Sequence, residues 1–193
     1  MFVFTGITGW FYFTALVGQT GTSLMHNQHL IKKIQFPRLV LPIAKSISAM
    51  AELIISIIIL TLLVLFNGTG LSWHFLLLPI AVGCNLVAGL SVGIWLSSLT
   101  VRFRDLHHII PFLVGFGIWL TPVFYPTTLL PSNWNMLLYF HPVANVIAFY
   151  RWIFCNTSMD WMQLLTSIGL AIVFLWIGLL YFIKNESQMA EHL

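Results

Sequence analysis

The chain has 193 residues, of which 59% are hydrophobic and only 7% are charged, and its mean hydropathy is +0.95. A soluble domain is about 25% charged, so these values exclude an ordinary soluble globular protein and predict a protein whose main solvent is lipid. The formal net charge is +3. The positions of the basic residues are more informative than this sum, because they set the orientation of a membrane protein.

The first apolar stretch, residues 2–18, has about the minimum length of a membrane-spanning helix. It has neither a positively charged start nor a small-residue cleavage site, so it does not fit a signal peptide. A polar segment, residues 19–28, follows it.

The next segment, residues 27–45, is strongly basic and carries four of the eight Lys and Arg residues, namely Lys32, Lys33, Arg38 and Lys45. Its apolar residues alternate with charge, a pattern typical of a short amphipathic helix at the membrane surface. Pro37 and Pro42 each remove a backbone donor and restrict the preceding residue. We therefore predict a short helix, a break and a new helix.

Four further apolar stretches predict spans at residues 47–66, 75–99, 109–125 and 161–183. Small and polar residues recur every four positions along the third predicted span, a spacing typical of close helix packing in membranes. These residues are Asn85, Gly89, Gly93 and Ser97.

Residues 126–156 fit neither a span nor a loop. Their apolar pieces, residues 136–140 and 143–154, are each too short to cross the bilayer, and His141 and Pro142 separate them. Two short helices of this kind predict a re-entrant hairpin that enters the membrane and returns. The predicted fold class is thus an all-α polytopic helical bundle of five spans, a single transmembrane domain over residues 1–193, with an external re-entrant helical hairpin before the last span.

Basic residues predict the orientation of the spans. Two predicted spans separate the 27–45 loop from the loop with Arg102 and Arg104, and two more separate that loop from the tail that begins at Lys184. All three segments are therefore on one side of the membrane, and their basic charge predicts that this side is cytoplasmic. Arg151 is the single Lys or Arg in the loops of the other face. This topology puts the N-terminus outside. Either an N-terminal span and its cytoplasmic lead-in are missing from the sequence, which we favour, or the protein has five spans and an external N-terminus.

No catalytic constellation is recognisable, and no metal site is predicted. The acids are scattered, the two cysteines have no metal-ligand spacing, and the adjacent His107 and His108 would point about 100° apart on a helix. The phosphate-loop pattern G-x-x-x-x-G-K-[ST] does not occur. We therefore expect no enzymatic activity in this chain, and any ATP that drives it must be bound by another chain.

Two groups of charged residues have more than one interpretation. Glu52, within the second predicted span, either reaches the interface or the helix N-terminus, or makes a polar contact in a pore or with a neighbouring helix. Arg102, Arg104 and Asp105 either anchor the topology, pair with one another, or bind an anionic lipid phosphate.

The motifs resemble those of the ABC-2 type permease subunits that export polysaccharides, including the O-antigen, capsule and teichoic-acid exporters. Residues 27–42, NQHLIKKIQFPRLVLP, match the N-x-x-L-I-x-K-x-x-F-P-R-x-x-L-P signature of that family. Residues 102–105 match its R-x-R-D loop, and residues 121–126 its S-P-V-x-Y segment with Thr in place of Ser. His141-Pro142 resembles its later Asn-Pro turn, and Arg151 corresponds to an arginine after that turn.

The resemblance implies a subunit with six spans, of which this chain shows five, in a multi-pass protein of the bacterial inner membrane. It implies a homodimer with a central channel for a lipid-linked polysaccharide, and separate ATP-binding subunits that carry the ATP and Mg. No nucleic-acid partner is implied. The coupling element would contain Leu30, Lys32, Lys33, Phe36, Pro37 and Arg38. Channel or mouth residues would include Trp119, Pro122, Phe124, Tyr125, His141, Pro142 and Arg151.

Two alternatives remain at this level. The same general fold serves ABC-2 permeases for drugs or lipids, and a chain without its first span would be a non-transporting membrane subunit.

Overall fold

The computed structural model describes residues 1–34, 36–66, 72–129, 137 and 139–192, and all the regular structure in these ranges is helical. The main elements are α1 (Phe2–Gly21), α2 (Ser23–His26), α3 (Gln28–Lys33), α4 (Val40–Phe66), α5 (Leu78–Arg102), α6 (Leu106–Leu120), α7 (Pro142–Cys155) and α8 (Trp161–His192). Short 3₁₀ turns lie at Trp73–Leu77 and Thr127–Leu129.

Within the described residues, three helical segments are long and apolar enough to cross a membrane. They are Val40–Phe66, Trp73–Arg102 and Trp161–Glu186, with hydropathies of 2.7, 2.1 and 2.3. At about 1.5 Å per residue each exceeds the 30 Å of a bilayer core. They correspond to the second, third and last predicted spans, and they define a membrane helical bundle.

The boundary between α3 and α4 corrects one detail of the prediction. The break lies at Pro37, as expected, but Pro42 does not break the chain, because α4 begins at Val40. A proline in the first turn of a helix removes an N–H that has no intrahelical partner in any case. The helix therefore begins seven residues before the predicted span at residue 47.

The helix α6 is shorter than the fourth predicted span, residues 109–125, because it ends at Leu120. Thr121 is extended, with φ −89° and ψ 140°, as the clash with the ring of a following proline, here Pro122, favours. The 15 residues of α6 measure about 22 Å, less than a full bilayer core. The sequence contains the signal for this end, namely Pro122, but the predicted span runs past it to residue 125.

The first predicted span, residues 2–18, corresponds to α1, the central helix of the bundle. Its polar side chains Thr5 and Thr8 and its Gly9 are buried. The two threonine hydroxyls donate to main-chain carbonyls of their own helix, at 2.8 Å from Phe2 O and 3.0 Å from Phe4 O. Threonine and glycine lower the mean hydropathy of α1, so this helix is not among the three long apolar segments. Helix α1 contacts α4, α5, α6 and α7.

The predicted face of small and polar residues on α5 packs against α1, which confirms that prediction. Asn85 Nδ2 donates to Gly9 O of α1 at 3.0 Å, and Ser97 Oγ lies 3.4 Å from Ser23 Oγ at the start of the adjoining α2. Between them, a Cβ atom on Gly89 would lie 2.6 Å from Leu16 Cδ1. Glycine is therefore required for the observed distance between the two helices.

The helix α8 packs on α5 through aromatic stacking. The Trp95 ring stacks on Phe174 and Tyr181, with centroid distances of 5.3 and 5.1 Å. Its indole N–H donates to Phe174 O at 3.1 Å. A Cβ atom on Gly178 would lie 2.7 Å from Trp95 Nε1, so a small residue is needed there too.

The segments that were predicted to share a membrane face do lie at the same end of the bundle. Thr100 at the end of α5 donates to Gly21 O at the end of α1, at 2.9 Å. Glu186 of α8 contacts Arg38. At the opposite end, Arg151 Nε donates to Phe2 O at 3.4 Å. The grouping agrees with the predicted alternation, and the cytoplasmic assignment remains a prediction.

The structure describes part of the predicted external region, residues 126–156. The second apolar piece, residues 143–154, forms most of α7. Of the first piece, residues 136–140, the structure describes 137, 139 and 140, so the re-entrant hairpin remains a prediction.

Replacing Gly89 by alanine tests the close packing of α1 and α5. We expect the variant to lose about 1–3 kcal/mol of unfolding free energy, because a methyl group there overpacks the interface with Leu16. Gly83→Ala is the matched control on the same helix, since no atom lies within 4 Å of a Cβ at that position. Equal stability of both variants in detergent unfolding would contradict the proposed packing.

Candidate functional site

The predicted coupling stretch presents an exposed surface at one end of the bundle. Leu30, Lys32 and Lys33 on α3 are exposed, and so is Pro37 in the following break. The two ammonium groups lie in the last turn of α3, where the helix dipole favours cations. The short helix thus offers adjacent basic and apolar groups to a partner.

Phe36 and Arg38, by contrast, turn back towards the bundle. Phe36 packs with Ile31 and Leu39 against a buried cluster of Leu24, Leu41, Ile94, Val101 and Phe182. The Arg38 main-chain N–H donates to Glu186 Oε1 at 2.7 Å, and Arg38 Nη1 donates to Glu186 O. The stretch therefore has an outer surface and an anchored inner side.

The loop between α5 and α6 is exposed. Arg102, Arg104 and Asp105 are all solvent-accessible, and the Arg102 guanidinium lies 5.6 Å from the centroid of the Phe103 ring. The first residues of α6 reach the coupling side of the bundle, since the His107 and His26 rings are 6.2 Å apart. No group of three or more His, Cys, Asp or Glu within the described ranges is placed to hold a metal ion.

Glu52 makes a polar contact with a neighbouring helix. Gln19 Nε2 on α1 donates to Glu52 Oε1 at 3.0 Å. Because α4 begins at Val40, Glu52 is its thirteenth residue, and the interpretation based on the helix N-terminus is wrong, since the dipole effect is confined to the first turn. A cavity of about 250 Å³ lies beside this contact, lined by Thr14, Ala15, Gly18, Gln19, Thr22, His26 and Lys45.

An exposed aromatic stripe runs along α6. Phe112, Phe116 and Trp119 are 83%, 65% and 67% exposed, and their spacing of four and three residues puts them on one face of the helix. The stripe continues into the following turn, where the Phe124 ring lies 5.4 Å from that of Trp119. Sequence reasoning selected Trp119, Phe124 and Tyr125 and missed Phe112 and Phe116, although their helical spacing was visible.

Tyr125 and Pro122 shape the turn that follows α6. The Tyr125 hydroxyl donates towards Trp119 O and Leu120 O at 3.5 and 3.4 Å, and Pro122 is buried. The hydroxyl thus lies over the last carbonyls of α6, which have no intrahelical partner.

Arg151 lies inside the protein, at 4% exposure. Its Nη2 donates to Val123 O at 2.6 Å, and its guanidinium lies 3.7 Å from the centroid of the Phe2 ring. A Cβ atom on Gly6 would lie 2.8 Å from both Arg151 Nη2 and Val123 O. Arg151 therefore joins α7, the start of α1 and the turn after α6 at the end opposite the coupling stretch.

His141 and Pro142 begin α7. His141 Nδ1 accepts from the Ala144 N–H at 3.2 Å, and His141 Nε2 lies 3.4 Å from Thr121 Oγ1. Pro142 occupies the first turn, where its missing N–H costs nothing. Burial lowers the pKa of His141, which favours the neutral ring that can accept at Nδ1.

This architecture, a helical membrane bundle with a basic, exposed connection at one end, defines a multi-pass membrane protein. The sequence profile of the family "ABC-2 type transporter" matches residues 1–155. The chain therefore belongs to the ABC-2 type transporter family.

The chain is also similar to curated proteins over nearly its whole length. The chain is 27% identical to the O-antigen export system permease protein RfbA of Myxococcus xanthus, over 98% of this chain and 74% of the relative. Two proteins with the same name from Klebsiella pneumoniae are each 26% identical, over 99% of this chain and 74% of the relative.

Arg151→Met tests the buried junction at the end opposite the coupling stretch. We expect a loss of about 2–4 kcal/mol of unfolding free energy, because the variant removes the cation–π contact and leaves Val123 O without its charged donor. Arg102→Met, which alters an exposed arginine, should change stability by less than about 0.5 kcal/mol.

A double-mutant cycle with Gly6→Ala checks that the contact itself is responsible. Gly6→Ala should destabilise Arg151→Met less than it destabilises the wild type, because the close approach to Arg151 Nη2 is then absent while that to Val123 O remains. Strictly additive effects in the thermal unfolding of the purified protein would contradict this assignment.

The capping role of His141 predicts a dependence on pH. Since the folded pKa lies below the unfolded value of about 6.5, the stabilisation is present above that value and is lost as the pH falls through the folded pKa. His141→Asn should retain the cap, because Asn is a strong N-cap residue, whereas His141→Ala should lose about 1 kcal/mol at pH 8.

Thermal unfolding at pH 8 and pH 5 distinguishes the contribution of His141 from that of the other histidines. The drop in melting temperature between the two pH values should be smaller for His141→Asn than for the wild type. An equal drop in both proteins would refute the pH dependence.

Proposed function

We propose that this chain is the permease subunit of an ATP-driven exporter that moves a lipid-linked polysaccharide across the inner (cytoplasmic) membrane. The observation that carries the proposal is the exposed coupling surface of Leu30, Lys32 and Lys33 in a chain of the ABC-2 type transporter family. The polysaccharide is inferred from the three relatives named for O-antigen export.

The ATP-binding subunit would dock on the coupling surface. A short helix bounded by a proline and anchored on its inner side transmits a push more directly than a flexible loop. Basic side chains at the rim of an interface steer and orient a partner with complementary charge. In this proposal ATP and Mg are bound by the partner, and the present chain is not an enzyme.

A second copy of the chain would complete the pathway. Most soluble oligomers are symmetric, and a twofold axis would bring the same surface of both copies together. The exposed α6 stripe supports a pathway for sugar, because aromatic faces present large, rigid contact area, against which the faces of sugar rings can lie as the polymer slides. The proposal also includes three predictions from the sequence. The chain has five spans, the coupling stretch is cytoplasmic, and residues 126–156 form a re-entrant hairpin.

Co-purification with the ATP-binding subunit tests the proposal. Lys33→Glu should lower the amount of retained ATPase by about tenfold, corresponding to about 1.4 kcal/mol, and reduce export of the lipid-linked polymer in parallel. Lys184→Glu, a change of an exposed lysine at the same end of the bundle but outside α3, is the control and should retain the ATPase.

Two results would reject the proposal. One is a stably inserted wild-type chain that retains no ATPase, and the other is a Lys33→Glu variant that retains as much as Lys184→Glu. Phe36→Ala is less suitable than Lys33→Glu, because Phe36 packs into the bundle and its loss also disturbs folding.

A further inference from the structure

The junction between Arg38 and the end of α8 connects two parts of the chain that are 148 residues apart. Arg38 donates twice to one residue: its main-chain N–H binds Glu186 Oε1 at 2.7 Å, and its Nη1 binds Glu186 O. We call this pair of contacts the Arg38–Glu186 clasp. It uses the backbone as well as the side chain of each residue, so it fixes the path of the coupling stretch and does more than neutralise a charge.

The clasp lies in the segment that leads into α4. Arg38 comes two residues before Val40, the first residue of α4. The Glu186 carboxylate accepts from the Arg38 amide, and its negative charge is favourable near a helix N-terminus. A residue of the last helix thus holds the approach to the helix that follows the coupling stretch.

Apolar packing continues the junction into the membrane. Phe182, four residues before Glu186 on α8, is fully buried in the cluster that Phe36 and Leu39 contact. Further along α8, Phe174 and Tyr181 stack on Trp95 of α5. Hence a contiguous set of contacts leads from the coupling stretch through α8 to α5.

We propose that Glu186 is a positioning residue that makes the coupling stretch move as one body with α8, so that displacement of α3 by the ATP-binding subunit displaces α8 and α5. This inference rests on the proposed function. It assigns a role in transmission to the end of α8, a part of the chain that lies beyond the family match at residues 1–155.

The experiment uses the full chain purified with its ATP-binding subunit and measures polymer exported per ATP hydrolysed, at equal amounts of assembled complex. Glu186→Ala should keep the ATPase bound but lower this ratio by about tenfold, within the usual range of coupling between sites. Glu186→Gln retains an acceptor oxygen for the Arg38 N–H and should preserve most of the ratio. Lys184→Ala, two residues away and exposed, should leave it unchanged.

A second variant tests whether the effect comes from the clasp itself. Arg38→Ala removes the donor to Glu186 O and should also lower the ratio. In combination with Glu186→Ala, which removes the acceptor of the other hydrogen bond, it should cause little further loss, because the clasp needs both bonds to hold the two segments together. A purely structural role would reduce the amount of complex and leave the ratio unchanged.

Hydrogen exchange gives a readout that does not depend on transport. Backbone exchange around Arg38 should be faster by about tenfold in Glu186→Ala than in Lys184→Ala, since the amide loses its acceptor. Unchanged exchange, or a normal export ratio in Glu186→Ala with a functional wild type, would overturn the role of Glu186 alone. A wild-type chain that binds no ATPase and exports nothing would overturn the proposed function and this role together.

Discussion

The close contact between α1 and α5 is the interaction on which the other helices depend. In lipid there is little hydrophobic gain from pairing two apolar helices, so close packing and interhelical hydrogen bonds must hold them together. Gly89 meets Leu16 at a distance that leaves no room for a methyl group, and Asn85 donates to Gly9 O. With α1 fixed on α5, helices α4, α6 and α7 pack around α1, and α8 packs on the other contact face of α5.

This arrangement places a polar, anchored structure at each end of the bundle. At the coupling end, the short helix α3 presents its lysines outwards while Phe36 and Arg38 hold it to α5 and α8. At the opposite end, buried Arg151 joins α7 to the start of α1 and to the turn after α6. Between the two ends lie the exposed aromatic stripe of α6 and the Gln19–Glu52 contact. In the proposed exporter, rigid elements of this kind would let the two ends of the bundle respond to each other.

The sequence predictions were right where a strong physical constraint lay behind the pattern. Long apolar runs predicted the helices containing Leu60, Ala88 and Ala171, because a bilayer demands an uninterrupted apolar segment. The four-residue spacing of Gly89 and Gly93 predicted a packing face, since that spacing puts small residues on one side of a helix. Local rules were weaker: Pro42 was assigned to a break but lies in a first turn, and α6 ends at Leu120 although apolar residues continue to Tyr125.

The sequence by itself determined the membrane environment, the long helices, the basic stretch and the family, because each of these depends on composition or on residues close together in the chain. Only the tertiary structure decided which residues that are distant in the sequence come into contact. Arg38 and Glu186, and likewise Arg151 and Phe2, are separated by about 150 residues. No periodicity encodes such pairs, since they arise only when the packing of α1, α5 and α8 brings distant helix ends to the same place.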